Sequence, residues 1–395
     1  MSNFEVKIQK IFIKPHPKAD RLELGNIGSP DGWQVVVKKG QFQTGDLVAY
    51  IGENSVVPEW LLRKCGLWDE RRGVGTLAGP RGDRVKAIKL HEELSLGVCV
   101  PVLRSSSRRL SVPNGVIALN NGHKMLVVEG ANVASELGVT KYEAPIPTCL
   151  AGEIYNAGTR IGVNYDIENI KSWPGVIVDA DEVFVTEKIH GVQIQIVVLP
   201  NILTTDASEH RLVTLPDKTS AFVAVSSKGQ ASKGLFLKHD EANANNVYMR
   251  AMNRYVEDIV AGLKDVQSPV TILGEVYGSG VQDLTYGLSD GEIALRVFDV
   301  YVGYRGQGRY LNPPELADIC ERLKVEMVPT LYRGKFLMDE VARLVDGKTT
   351  LSGDNIREGV VIRPAVERRH PALGRVILKW VSEDYLTRKN GTEYN

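Results

Sequence analysis

A proline-bearing segment, Tyr142-Glu143-Ala144-Pro145-Ile146-Pro147, divides this chain into two textures. Prolines at alternate positions fix φ and remove backbone donors, so the segment suits neither a helix interior nor a central strand. It reads as a stiff linker over 144–150, between a module at 1–143 and a larger one at 151–395. At 395 residues the chain is long enough for each module to bury its own core.

The first module reads as short strands punctuated by turn signals, the pattern of a small β-barrel or sandwich. Ile11-Phe12-Ile13 meets Lys14-Pro15-His16-Pro17, where regular pairing is expected to stop. Trp33–Lys38 and Asp46–Ile51 are β-rich runs closed by Gly40 and Gly52. Residues 70–83, rich in glycine and arginine, read as a flexible basic loop. Arg84–Leu90 alternates charge with hydrophobe and predicts a half-buried strand with a basic face, including Lys86 and Lys89. Residues 105–125 look like a polar insertion with its own hairpin, and 131–138 like a short helix stopped by Gly138.

The second module mixes longer strands with helices. Strands are predicted at Val183–Val185, Ile194–Val198, Thr271–Leu273, Ala294–Tyr301, Gly359–Ile362 and Arg375–Trp380. Apolar residues at helical spacing (Val247, Met252, Val256, Ile259, Val260, Leu263) predict an amphipathic helix within 245–264, and Pro313 opens another reaching Leu323. The mixture predicts an α+β class with antiparallel sheets rather than alternating βα units.

Composition excludes more than it identifies. The chain is 43% hydrophobic and 24% charged, with zero net charge, as expected of a soluble globular protein. The expectation is a cytoplasmic protein with no membrane segment: no apolar run approaches the ~20 residues a spanning helix needs, and MSNFEVKIQK does not resemble a secretory signal. Cys65, Cys99, Cys149 and Cys320 are far apart and form no metal-binding or redox pair. Charge is uneven, however. Residues 1–140 carry +5 and the remainder −5, which suits a nucleic-acid grip beside a metal-using site.

Four segments of the second module set charged residues against apolar strands. In Thr186-Glu187-Lys188-Ile189-His190-Gly191 a lysine ends one strand before a tight turn. Gly191 there would allow close backbone approach to a bound phosphate. Leu273-Gly274-Glu275-Val276-Tyr277-Gly278 puts a carboxylate between two glycines. Leu295–Tyr301 carries Phe298, which is either core or a platform for a purine. Arg357-Glu358-Gly359 opens an apolar strand, and Lys379 follows in the next one. Lysine becomes a nucleophile only when deprotonated, which neighbouring cations or burial favour.

As an ordered set, KIHG, GEVYG, RVFDVY, EGVVIR and LKW resemble the motifs of covalent nucleotidyltransferases, a superfamily of DNA ligases, RNA ligases and mRNA capping enzymes. The histidine in KIHG resembles the RNA ligases, whose nick-sealing branch can carry an OB-fold module before the catalytic domain. His16–Leu22, Arg84–Lys89, Ser95–Gly97 and Leu137–Glu143 are similar to such modules. The resemblance implies an N-terminal OB-like β-barrel followed by an antiparallel-sheet adenylyltransferase domain, in an ATP-dependent RNA ligase.

It further implies that Lys188 carries AMP and that Glu187 helps read adenine. Glu275 would contact the ribose or the metal, Phe298 stack on the base, Glu358 hold Mn²⁺ or Mg²⁺, and Lys379 bind the α-phosphate. Lys228 stands where related ligases often use arginine, and Ile377 where some use a second lysine. Lys86 and Lys89 would track the nucleic-acid backbone. The expected partner is a nicked duplex with an RNA 3′-OH strand, sealed by a monomer. Two alternatives differ in class: a GTP-using capping-type guanylyltransferase, and a non-catalytic nucleic-acid-binding protein on a ligase fold.

Overall fold

The computed structural model describes residues 4–104, 113–143, 152–200, 211–389 and 391–392. The expected linker at 144–150 and part of the expected insertion, 105–112, lie outside the described residues. The chain divides into two compact units, Ser2–Glu143 and Ala144–Asn395.

In the first unit five antiparallel strands run in the spatial order Gly97–Pro101, Leu47–Gly52, Lys7–Pro15, Leu22–Ile27, Trp33–Lys38. The long first strand changes partner along its length. Lys7–Lys10 pair with Leu47–Tyr50, and Ile11–Pro15 pair with Glu23–Ile27. The sheet's two ends approach each other, since Leu96 N donates to Gln34 O at 2.9 Å. Such curling is how a small sheet removes its free edges and becomes a barrel. Val6, Ile8, Ala49, Ile51 and Val100 are among the residues that fill one core of this unit.

Three expectations fail here. The first strand continues through Lys14 and Pro15, because a terminal proline withholds only one donor. Residues 70–83 hold local structure instead of an irregular loop. Trp68–Asp69 pairs with Val74–Gly75, and Asp69 Oδ1 accepts from the N–H groups of Arg71 and Arg72 at 2.9 and 3.2 Å. Arg84–Leu90 is not one strand, and only Ile88–Leu90 is extended in a ladder. Arg84 is buried, with its guanidinium 3.6 Å from the Tyr142 ring centroid and Nη2 donating to Asn54 Oδ1 at 2.8 Å. An arginine spent on packing breaks the alternation that the sequence suggests.

The second unit is built on two large sheets. The first has the order Glu168–Asn169, Leu378–Val381, Gly359–Pro364, Glu182–Lys188, Thr330–Lys335. The second has the order Arg211–Thr214, Ser220–Ser227, Val192–Pro200, Val270–Gly278, Ile293–Val302, Arg309–Tyr310. All pairings are antiparallel except that of Glu168–Asn169 with Leu378–Lys379.

Helix Val247–Gly262 lays Val247, Met252, Val256, Ile259 and Val260 into the core of the second sheet. Asn246 caps it by accepting from Tyr248 N at 3.0 Å. The helix Met338–Val345 packs Val341 and Val345 with Val183, Val185, Val360 and Ile362 of the first sheet. Between the sheets, smaller clusters join Leu273 and Tyr301 to Ile377. The predicted Arg375–Trp380 strand is interrupted. Gly374–Arg375 and Leu378–Val381 are separate segments, and Arg375 is drawn to Asp299 and Glu367 at 2.5 and 2.6 Å.

Candidate active site

Lys188 ends a strand of the first sheet, and only Ile189-His190-Gly191 separate it from Val192, which begins a strand of the second. Side chains alternate along the Lys188 strand. Val183 and Val185 point into the core, while Phe184, Thr186 and Lys188 line a cleft of about 290 Å³. The opposite sheet and the flanking strands add Lys228, Glu275, Phe298 and Lys379 to that lining.

The Lys188 ammonium lies 2.7 Å from Glu358 Oε1. Glu358 reaches it because Lys188 is registered opposite Gly359 on the neighbouring strand. The other oxygen, Glu358 Oε2, is buried and has no hydrogen-bond partner among the described residues. A buried carboxylate oxygen left unmatched is costly, and its chemistry suits a cation ligand. Among the described residues no group of three or more His, Cys, Asp or Glu gathers into a metal cage. A Mg²⁺-like ion held by one carboxylate, with water and phosphate oxygens completing its shell, is consistent with this donor set.

Glu275 lies across the strands from Gln193, and its Oε1 accepts from Gly191 N at 3.0 Å. Desolvation pushes its carboxyl up to about 8. Lys188, the Gly191 N–H and Lys228 oppose the rise and Glu358 adds to it. Lys379 is brought down to about 8, first by desolvation and then by repulsion from Lys188 and Lys228. Both side chains keep a face open to the cleft, so solvent or a ligand entering it reaches them directly. Lys228 starts a short helix and pairs with Asp166 Oδ1 at 2.7 Å. The half-buried Phe298 ring sits 5.1 Å from that of Tyr165, tilted by 40°.

Lys188, Lys228, Glu275, Phe298 and Lys379 therefore share one cleft, with Glu358 joined to it through Lys188. Glu187 also borders that cleft. Its side chain is fully buried, accepts from the Thr349 and Thr350 hydroxyls at 2.5 and 2.6 Å, and accepts from Thr350 N at 2.8 Å. Its carboxylate is therefore fixed by these donors. Gly191 also has a reason within the fold. A Cβ there would sit 2.2 Å from Val276 O, so the turn passes close against the neighbouring strand. Lys86 and Lys89 belong to the other compact unit. Lys89, in the short strand Ile88–Leu90, is exposed, and Lys86 just before it is half-buried.

Tyr165, Thr186 and Gln193 also line the cleft and were not singled out from sequence. Thr186 was recoverable, being two residues before Lys188 on one strand. Gln193 Nε2 is buried without a partner among the described residues. Tyr165 lies outside any strand or helix, so no periodicity marked it.

Comparison with known proteins agrees with this geometry. The RNA ligase family model matches residues 181–381, and the model of an OB-fold domain matches residues 5–102. No curated protein matched. Among solved structures, a Naegleria gruberi RNA ligase mutant with AMP and Mn has a TM-score of 0.69 at 22% identity, covering 96% of this chain and 97% of that one. The same ligase with PPi gives 0.68 at 24%, with the same coverage. A mutant with ATP and Mn gives 0.67 at 22%, again with that coverage. At these identities the likeness establishes a shared fold, while the family match spans half of the chain and its ordered charged motifs: the chain belongs to the RNA ligase family.

Proposed function

We propose that this protein is an ATP-dependent RNA ligase that works through a covalent Lys188–AMP. The observation that carries the reading is a lysine at a strand end, paired with a half-unsatisfied carboxylate, in a cleft lined by two further lysines and an aromatic ring. The ATP, AMP, PPi and Mn present in the Naegleria ligase structures support it.

In the first step Lys188 Nζ attacks the α-phosphorus of ATP. A P–N bond forms, the bond to the bridging oxygen breaks, and pyrophosphate leaves. A 5′-phosphate oxygen then attacks the same phosphorus, the P–N bond breaks, and AMP caps the polynucleotide end. Finally a 3′-hydroxyl attacks the 5′-phosphorus and AMP departs. Lys379 and Lys228 face the phosphoryl oxygens on which charge develops, which is where fixed cations accelerate such transfers most. Mn²⁺ or Mg²⁺ at Glu358 would add electrostatic stabilisation of those oxygens. Phe298 offers a face to the purine, and Glu275 a hydrogen-bonding group to the ribose.

The finer reading is a monomer acting in the cytoplasm at nicks whose 3′-OH strand is RNA, with the first unit following the phosphate backbone. Cys65, Cys99 and Cys320 are all free thiols, which suits a reducing compartment. The decisive experiment is incubation with α-labelled ATP or GTP and Mn²⁺, followed by a denaturing gel. Label from ATP that passes from the protein to the 5′ end of a nicked strand, and is released as AMP as the nick is sealed, supports the ligase. Label from GTP alone would favour a capping-type enzyme, and no label at all a binding protein.

Two further outcomes follow from the same reading. Lys86→Ala with Lys89→Ala should weaken sealing and flatten its dependence on salt while leaving Lys188–AMP formation intact, because lost phosphate contacts reduce counterion release. Equal loss of both activities would contradict this division of labour. Glu358→Gln keeps the shape and removes the charge. It should raise the Mn²⁺ concentration needed for half-maximal adenylylation by about tenfold or more, as read from a metal titration.

A further inference from the structure

Resting on the reading of Lys188 as nucleophile, we infer that Asp283, Tyr385 and Arg388 are positioning residues that hold the Lys188 turn through His190. The turn is where the chain leaves one sheet for the other, so neither ladder alone fixes it. Its main chain is pinned by side chains instead. His190 N donates to Tyr286 OH at 2.7 Å and Gly191 N to Glu275 Oε1 at 3.0 Å. The His190 ring, 4% exposed, is held at both nitrogens. Nε2 is 2.9 Å from Asp283 Oδ1, and Nδ1 is 2.8 Å from Tyr385 OH. Asp283 is acceptor-only when ionised, so Nε2 carries the hydrogen and Tyr385 donates to Nδ1 in the neutral ring.

The holders are themselves held. Arg388 Nε donates to Asp283 Oδ2 at 2.8 Å, and the guanidinium lies 3.7 Å from the Tyr385 ring centroid. Thr392 N donates to Asp283 Oδ1 at 2.9 Å. Tyr385 belongs to the short helix Glu383–Leu386, which follows directly on the Lys379 strand. The residues after the last motif thus reach back to the first motif, and the two ends of the catalytic sequence meet at one imidazole.

An ordinary buried network would contribute stability alone. This one is separated from Lys188 by a single residue, and in-line attack tolerates little displacement. Misplacing a reacting group by about 1 Å can cost about 100-fold in rate. Loosening the ring should therefore slow Lys188 adenylylation and leave ATP binding intact, since none of the three residues lines the cleft.

The test compares wild type with Tyr385→Phe and Asp283→Asn. Single-turnover formation of Lys188–AMP is followed across ATP concentrations, alongside hydrogen exchange of the peptide spanning residues 187–193. Tyr385→Phe keeps the ring and removes only the hydroxyl, and ATP-induced thermal stabilisation reports that each variant remains folded. The expected result is a rate about 10- to 100-fold lower, with half-saturating ATP within about twofold and faster exchange in the turn. An unchanged rate, or a loss confined to ATP affinity, would overturn the inference. If wild type forms no adduct, the proposed function fails instead. The exchange measurement then decides this inference alone, because unaltered turn protection in both variants would mean that the ring does not hold the turn.

Discussion

Lys188→Arg should fold, keep a cation beside Glu358, and take up no label from α-labelled ATP. Arginine preserves the charge but is not deprotonated in proteins, so it cannot attack phosphorus. Removal of a nucleophile typically costs on the order of 10⁴-fold or more, which puts the variant below detection on a gel. The choice of arginine matters. Lys188→Ala would leave Glu358 buried with neither oxygen matched, and breaking a buried pair this way costs about 3–5 kcal/mol. Lost activity could then be blamed on unfolding. A label that survives in Lys188→Arg would mean that another residue carries the nucleotide.

Lys379→Ala should reduce adenylylation by about 10²- to 10³-fold, the range for deleting one preorganised charge partner of a transition state. Its pH behaviour is more diagnostic. Burial and the other two lysines bring Lys379 to about 8, and only the charged form attracts phosphate. Affinity for ATP should be full below that value and fall as pH rises through it. The slope approaches tenfold per unit for one required proton. Glu275, raised to about 8 by desolvation, becomes negative over the same interval and acts in the same direction. Measured calorimetrically in a Lys188→Arg background, where no reaction occurs, the decline should be reduced by Lys379→Arg and abolished when Glu275→Gln is added. Affinity that rises with pH would contradict both assignments.

The catalytic strands were legible because their residues obey simple periods. Val183 and Val185 alternate with cleft residues, and the buried positions of Val247–Gly262 recur at helical spacing. The cleft residues were legible for a different reason: as an ordered set their motifs resemble those of covalent nucleotidyltransferases. Sequence failed where a residue's partner is distant in the chain. Glu187 borders the cleft beside Lys188, but that Thr349 and Thr350 hold its carboxylate is not legible from its neighbours. Arg84 looks like part of a basic stripe and is instead stacked on Tyr142. The His190 network needs Asp283, Tyr385 and Arg388, between 93 and 198 residues away, and no local pattern connects them.

The alternation of Glu187 and Lys188 across one strand constrains how this chain can vary. Inserting one residue between Glu182 and Lys188 would turn every later side chain in that strand to the opposite face. The carboxylate would then look into the cleft and the lysine into the valine core. Inserting two would restore the face but carry the amine about 7 Å along the strand, out of reach of Glu358. Length is therefore fixed here more strictly than chemistry. Substitution can explore the walls of the cleft, whereas insertion and deletion are confined to segments that do not set the phase of this strand.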